Sequence, residues 1–194
     1  MRSVRRFAAL LSAVTAIATA AQARAADFTT FTQGQVTVIQ RLVEPKALDF
    51  DVVVPASLPD VWTAFTTPEG MATWLAPSAK VDLRKGGDWL ALFKGVKPGG
   101  GSVIDFQPNV YLSISAMAPE RFPNVRHDRT TAVFEFSSVD DTHTRVHLTQ
   151  TGWKTGKEWD DAFDYLAKGN AQLLNALYQR FATGPVDWSK VGPR

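Results

Sequence analysis

Residues 158–183 place Phe163, Leu166, Leu173, Leu174, Leu177 and Phe181 near helical spacing, with Ala167, Asn170 and Ala171 along or beside the same stripe. That pattern describes one long amphipathic helix, closed by Gly184-Pro185. What precedes it is strand-like. Residues 79–84, 88–93, 102–106, 111–117, 130–137 and 144–151 read as short strands. They are separated by Gly86-Gly87, residues 97–101, Pro108-Asn109, a long loop over 118–129 and Asp140-Asp141. Short strands with local turns give an antiparallel meander. A long amphipathic helix after a meander buries its stripe on the sheet, because neither has another partner. The expected fold is α+β, a curved antiparallel sheet wrapped around a long C-terminal helix.

The front of the chain fits this frame. Residues 46–54 alternate, with Leu48, Phe50, Val52 and Val54 on one face and Asp49, Asp51 and Val53 on the other, as in a half-buried strand. Residues 55–59 break it, and Pro59 suits the first turn of a helix carrying Val61, Trp62 and Phe65. Thr67 as N-cap and Pro68 at the first helical position start a second short helix with Met71, Trp74 and Leu75, and Pro77 stops it. Residues 36–43 are a candidate edge strand in an otherwise indistinct stretch. In the meander, Ala132, Phe134 and Phe136 share one face, as do Val146, Leu148 and Gln150. These faces are expected to look inward.

The first residues carry Arg2, Arg5 and Arg6, then an uncharged run over residues 7–21, then Ala23-Arg24-Ala25. That is the layout of a secretory signal peptide cleaved after Ala25, and the run falls short of the roughly 20 residues that span a bilayer. Phe7 follows Arg5-Arg6 directly, which favours the general secretory route over the twin-arginine one. The expected organisation is a signal peptide over 1–25, an extension over 26–45, one domain over 46–188 and a tail over 189–194. Cleavage removes four of 21 basic residues and no acid, so the net charge of +2 becomes 17 basic against 19 acidic residues, or −2. Nucleic acid and anionic membrane then lose their electrostatic footing as partners. The mature chain has no further run of membrane-spanning length. The chain has no cysteine, which excludes disulfides and thiol chemistry.

Several local phrases now combine. Val54-Pro55-Ala56-Ser57-Leu58-Pro59-Asp60-Val61-Trp62, Thr67-Pro68-Glu69-Gly70 with Trp74, and Lys85-Gly86-Gly87-Asp88-Trp89 occur in this order. They are followed by residues 144–153 and by Gly184-Pro185-Val186-Asp187-Trp188. Over residues 48–188 the chain resembles the SRPBCC superfamily, in particular its branch of activator of heat-shock protein 90 ATPase homologues. The resemblance implies a helix-grip (START-like) fold around an apolar ligand cavity. Gln150 stands where many relatives have an inward His, and Asn170 where they commonly have Trp, so the resemblance names no ligand. An exported protein does not meet the cytosolic chaperone in the branch name.

Catalytic and metal constellations are weak. His143 and His147 would share a helix face, but their segment reads as a strand on which they flank Arg145 on the solvent side, and His127 reads as a loop residue. Residues 97–102 lack the ending of a phosphate loop and read as a hairpin turn. Asp160, Asp161 and Asp164 sit early in the long helix, where they complement its dipole. Asp105 and Glu135 are expected to point outward, because Ile104 with Phe106 and Phe134 with Phe136 claim the core face. No catalytic residue, cofactor or metal ligand is assigned. Among the tryptophans, Trp62 reads as core, Trp159 as a helix-start contact and Trp188 as a surface-packed tail residue.

Trp74 and Trp89 are better candidates for a cavity wall, the latter on a strand with Ala91 and Phe93. Gln150 is a polar amide on an apolar face, which costs free energy unless it is hydrogen-bonded. The candidate ligand-binding set is therefore Trp74, Trp89, Phe93, Phe134, Phe136, Leu148, Gln150, Asn170 and Leu174. The expected partner is a small hydrophobic or amphipathic molecule. The competing readings are an enzyme of cyclase, dehydratase or hydrolase type using the same cavity, and a protein-interaction module without ligand. We predict that the exported form begins at Ala26; N-terminal sequencing checks this, and an intact Met1 in a cytosolic fraction contradicts it.

Overall fold

The computed structural model describes residues 27–191, so the expected signal peptide lies outside the described residues. Nine strands form one antiparallel sheet in the order β1-β2-β3-β9-β8-β7-β6-β5-β4. In chain order they are β1 (Phe28–Gln33), β2 (Val36–Arg41), β3 (Ala47–Val54), β4 (Ser78–Val81), β5 (Asp88–Leu92), β6 (Gly99–Gln107), β7 (Tyr111–Met117), β8 (Thr130–Asp140) and β9 (His143–Thr151). The sheet is curved and unclosed, and the long C-terminal helix α4 (Lys157–Thr183) lies in its concavity, as expected from the sequence. Between β3 and β4 run α1 (Leu58–Thr66) and α2 (Pro68–Ala72), and α3 (Pro123–Asp128) precedes β8.

Alternation decides which face is buried. Leu48, Phe50, Val52 and Val54 of β3, Phe134 and Phe136 of β8, and Val146 and Leu148 of β9 are all buried. The buried stripe of α4, Phe163, Ala167, Ala171, Leu174 and Leu177, meets β1 to β3. Polar ties fix that contact: Lys46 Nζ pairs with Asp160 at 2.8 Å, Gln40 Nε2 donates to Asp164 at 3.2 Å, and Gln35 N–H donates to Asn175 Oδ1 at 3.1 Å. Asp160 and Asp164 thus hold particular partners on the β-side beyond complementing the helix dipole, and Asp161 pairs with Lys157.

The cap read from the sequence, Thr67, is in place, and Ser57 supplies a second. Ser57 Oγ accepts from the Asp60 N–H at the start of α1, and Thr67 Oγ1 accepts from the Gly70 N–H at 2.9 Å at the start of α2. The last carbonyls of these helices lack intrahelical partners, and indoles supply them. Trp74 Nε1 donates to Ala64 O at 2.9 Å, Trp89 Nε1 to Phe65 O at 2.7 Å, and Trp188 Nε1 to Ala72 O at 2.6 Å. Trp89 therefore ties β5 to α1, and Trp188 ties the tail, a single 3-10 turn over Trp188–Lys190, to α2. Trp62 is only half-buried and meets Phe136 edge to face at 5.5 Å, and Trp159 meets Trp153 in the same way at 6.5 Å.

Four local expectations are corrected. Residues 36–43 supply no edge: β2 is paired on both sides, and β1 is the edge, because the hairpin at Gly34 returns the chain with φ of +60°. Residues 99–101 are not a turn but the first part of β6, facing Trp89 to Ala91 across the ladder. A register shift between Val103 and Asp105 reverses the parity of β6, so Val103 is buried and Ile104 is 42% exposed while Phe106 still packs on the core. The loop over 118–129 contains α3, so His127 is on a short helix.

Glycine is required where β6 begins. A Cβ on Gly101 would lie 2.0 Å from the Ser115 carbonyl oxygen, a backbone atom that cannot yield, whereas one on Gly99 would meet nothing within 4 Å. We predict that Gly101→Ala lowers stability by about 1 to 3 kcal/mol, the usual effect of overpacking. Gly99→Ala should stay within about 0.5 kcal/mol of the parent. Thermal melts of the pair check both.

Candidate functional site

The buried stripe of α4 uses only part of its inward surface. A second row, Leu166, Gly169, Asn170, Leu173 and Ala176, lies beside it at helical spacing and faces β5 to β9 across a gap that Asn170 bridges at Gln150. The space between is a cavity of about 800 Å³. Its sheet wall is formed by Trp89 and Ala91 of β5, Ile114 of β7, Ala132 and Phe134 of β8, and Leu148 of β9. Trp74 and Leu75 close one end. The exposed residues Val96, Lys97 and Glu120 stand at the mouth with half-buried Arg126.

The wall is rigid because its aromatics interlock. Phe65 contacts Trp74 at 4.9 Å, Phe134 at 5.1 Å and Phe136 at 5.0 Å between ring centroids, and Trp89 lies 5.9 Å from Phe134. The indole bonds to α1 described above fix Trp74 and Trp89 further.

Gln150 is 3% exposed and supplies the polar centre of the cavity. Its Nε2 donates to Thr130 Oγ1 at 2.7 Å, and its Oε1 accepts from Asn170 Nδ2 at 2.8 Å. The amide is thereby oriented from both sides, by β8 and by α4. The side-chain oxygen of Asn170 has no protein partner among the described residues, and Asn170 lines the cavity. A primary amide carries two donors and two acceptor lone pairs, so this pair retains capacity for a bound polar group.

Of the nine residues singled out in the sequence, Trp74, Trp89, Phe93, Phe134, Leu148, Gln150 and Asn170 line the cavity. Phe93 also meets Trp188 edge to face at 6.1 Å. The other two lie behind the wall: Phe136 packs on Phe65 and Trp62, and Leu174 is wholly buried with the stripe that meets β1 to β3. Apart from Asn170, sequence reasoning missed the second row of α4, because Leu166 and Leu173 read as one stripe with Leu174. It also missed Arg126, because α3 was read as loop; Pro123 at a first helical position was the available signal.

The histidines lie elsewhere. His147 is on the outer face with Asp51 at 3.4 Å, and His143 is with Asp140 at 3.0 Å. The Asp140 carboxyl is lowered to about 2 by the Thr142 backbone N–H and then by His143, and it belongs to the β8–β9 turn. Among the described residues no group of three or more His, Asp and Glu is arranged to hold a metal ion.

A family model described as Activator of Hsp90 ATPase homolog 1-like protein matches residues 55–182. No curated protein matches the chain. Among solved structures, the Aha1 dimer from Colwellia psychrerythraea is similar with TM-score 0.59 and 19% identity, over 71% of this chain and 97% of that one. A protein from Mesorhizobium loti gives TM-score 0.59 and 17% identity, over 72% of this chain and 99% of that one. CalU16 from Micromonospora echinospora gives TM-score 0.53 and 18% identity, over 82% and 84%. At these identities the likeness is one of fold.

Removing Gln150 leaves two groups without their partner, the buried Thr130 hydroxyl and one side-chain N–H of half-buried Asn170. We predict that Gln150→Leu lowers stability by about 1 to 3 kcal/mol even without ligand, the cost of leaving such partners unpaired. Adding Asn170→Leu should restore part of the loss. A double-mutant cycle measured by denaturant unfolding checks this, and strict additivity contradicts it.

Proposed function

The chain belongs to the family of Activator of Hsp90 ATPase homolog 1-like proteins, and from that premise we propose that it is an exported protein binding a small hydrophobic or amphipathic molecule. The SRPBCC fold is in general a ligand-binding one. The observation that carries the proposal for this chain is the cavity of about 800 Å³ between α4 and the sheet, with an aromatic and aliphatic wall and one oriented amide pair. Ligand sites are concave and mostly apolar, with a few convergent polar groups.

The polar groups that converge inside are amides, which orient a ligand and do not exchange protons with it near neutral pH. This favours binding over acid–base chemistry. The one carboxylate of the lining, Glu120, is at the mouth and pairs with Lys97 at 3.7 Å. Export is supported by the residues before Ala26 and would keep the protein from the cytosolic chaperone in the family's name.

We predict that protein purified from the periplasm carries a small molecule that survives native mass spectrometry as a discrete mass added to the chain. Release of that molecule on unfolding, followed by rebinding to refolded protein, is the expected result. Protein that emerges at its bare mass and takes up no apolar probe contradicts the proposal.

A further inference from the structure

The mouth of the cavity carries a charge pattern that the wall does not. Resting on the binding reading above, we propose that the ligand is an amphipathic anion, an apolar body bearing one anionic headgroup, and that Arg126 anchors the headgroup.

Arg126 is on α3, whose placement is fixed from outside. The first N–H groups of this helix have no cap of their own, and Glu158 of α4 serves them instead: its Oε1 accepts from Asn124 N–H at 2.7 Å and Val125 N–H at 3.1 Å. At the next residue, Arg126 Nη1 donates to Ala118 O at 2.7 Å and Nη2 to Pro98 O at 2.8 Å. These bonds span the two sides of the mouth, the β5–β6 connection and the segment after β7. They hold the guanidinium in place, but carbonyls bring no opposite charge. A guanidinium has five N–H donors in a planar fork, so most of its donor capacity and all of its charge remain for a partner. Among the described residues no carboxylate is within ion-pair distance of it.

The surroundings favour an anion. Lys97 and Arg129 stand near Arg126, and the one carboxylate there, Glu120, is engaged by Lys97. Two cations, Lys97 and Arg126, against one acid give this mouth a positive excess on a domain whose own net charge is negative, and Arg129 adds a cation in the adjoining surface pocket. Half-burial of Arg126 strengthens its pull relative to an exposed side chain. A carboxylate or phosphate matches the fork with paired, charge-assisted bonds. Beyond it, Trp89, Phe134, Leu148, Leu166 and Leu173 offer only apolar contact to the rest of the molecule.

The test uses four probes with one chain length: decanoate, decyl phosphate, decanol and decyltrimethylammonium. Each is titrated into the mature protein and followed by the fluorescence of Trp89 and Trp74, which line the cavity. At least one anion should bind about tenfold or more tightly than decanol, and the cation least, with the anion's advantage shrinking as salt rises. Arg126→Gln should reduce the ratio of anion to decanol affinity by about tenfold. Because Arg126 also bridges two segments, the ranking on the unaltered protein decides by itself if that variant does not fold. Decanol binding as tightly as both anions overturns the anionic headgroup and leaves the cavity reading standing. An anion preference that survives Arg126→Gln unchanged overturns the role of Arg126. Failure of all four probes overturns the proposal together with the binding reading.

Discussion

One helix cannot cover this sheet. Nine strands spaced by about 4.8 Å make a surface roughly 38 Å wide, whereas a helix with its side chains is about 10 Å across. Helix α4 spends its best apolar stripe on β1 to β3, where Phe163, Ala167, Ala171 and Leu174 are buried. Short α1 and α2 cover β8, β9 and β4. What remains between α4 and the middle of the sheet is the cavity, so its existence follows from the mismatch of widths and its shape from the residues that line the gap. The tryptophan bonds to the ends of α1 and α2 then hold those helices off the remaining space.

Much of the fold was legible because its signals are local. Period-two alternation in β3, β8 and β9 identified the buried faces, and Pro59 and the Thr67-Pro68 pair marked the helix starts. The failures have a common cause, which is that they depend on what lies across the chain. Gly99 to Gly101 look like a turn until Trp89 and Ser115 are placed on either side of them. Ile104 looks buried until the register shift beside it turns it out. Helix α3 has no cap in its own sequence, because the carboxylate that serves it comes from Glu158, more than thirty residues later.

The site divides in the same way. An amide on an apolar strand face is conspicuous, and Gln150 was identifiable from the alternation of its own strand. Its partners were not, since Thr130 lies on the neighbouring strand and Asn170 on α4. The aromatic wall was visible through Trp74, Trp89 and Phe134, but neither alternation nor helical period separates a residue that lines a void from one that lies behind it. Phe136 and Leu174 show this, each sharing its element's inward face yet buried in solid core. The basic mouth had no sequence signal, because Lys97 lies on the β5–β6 connection and comes beside Arg126 only once α3 is placed against it.

Everything functional in this reading rests on apolar ligand entering the space between α4 and the sheet. Methyl-resolved NMR of the mature protein, titrated with decanoate, observes that space directly. Shift changes should centre on Ala132, Ile114, Leu148, Leu166 and Leu173, which face the cavity from both sides, and leave Ile39, Val53 and Val139 on the outer surface unmoved. Perturbations confined to those outer methyls, or none at saturating probe, would contradict it.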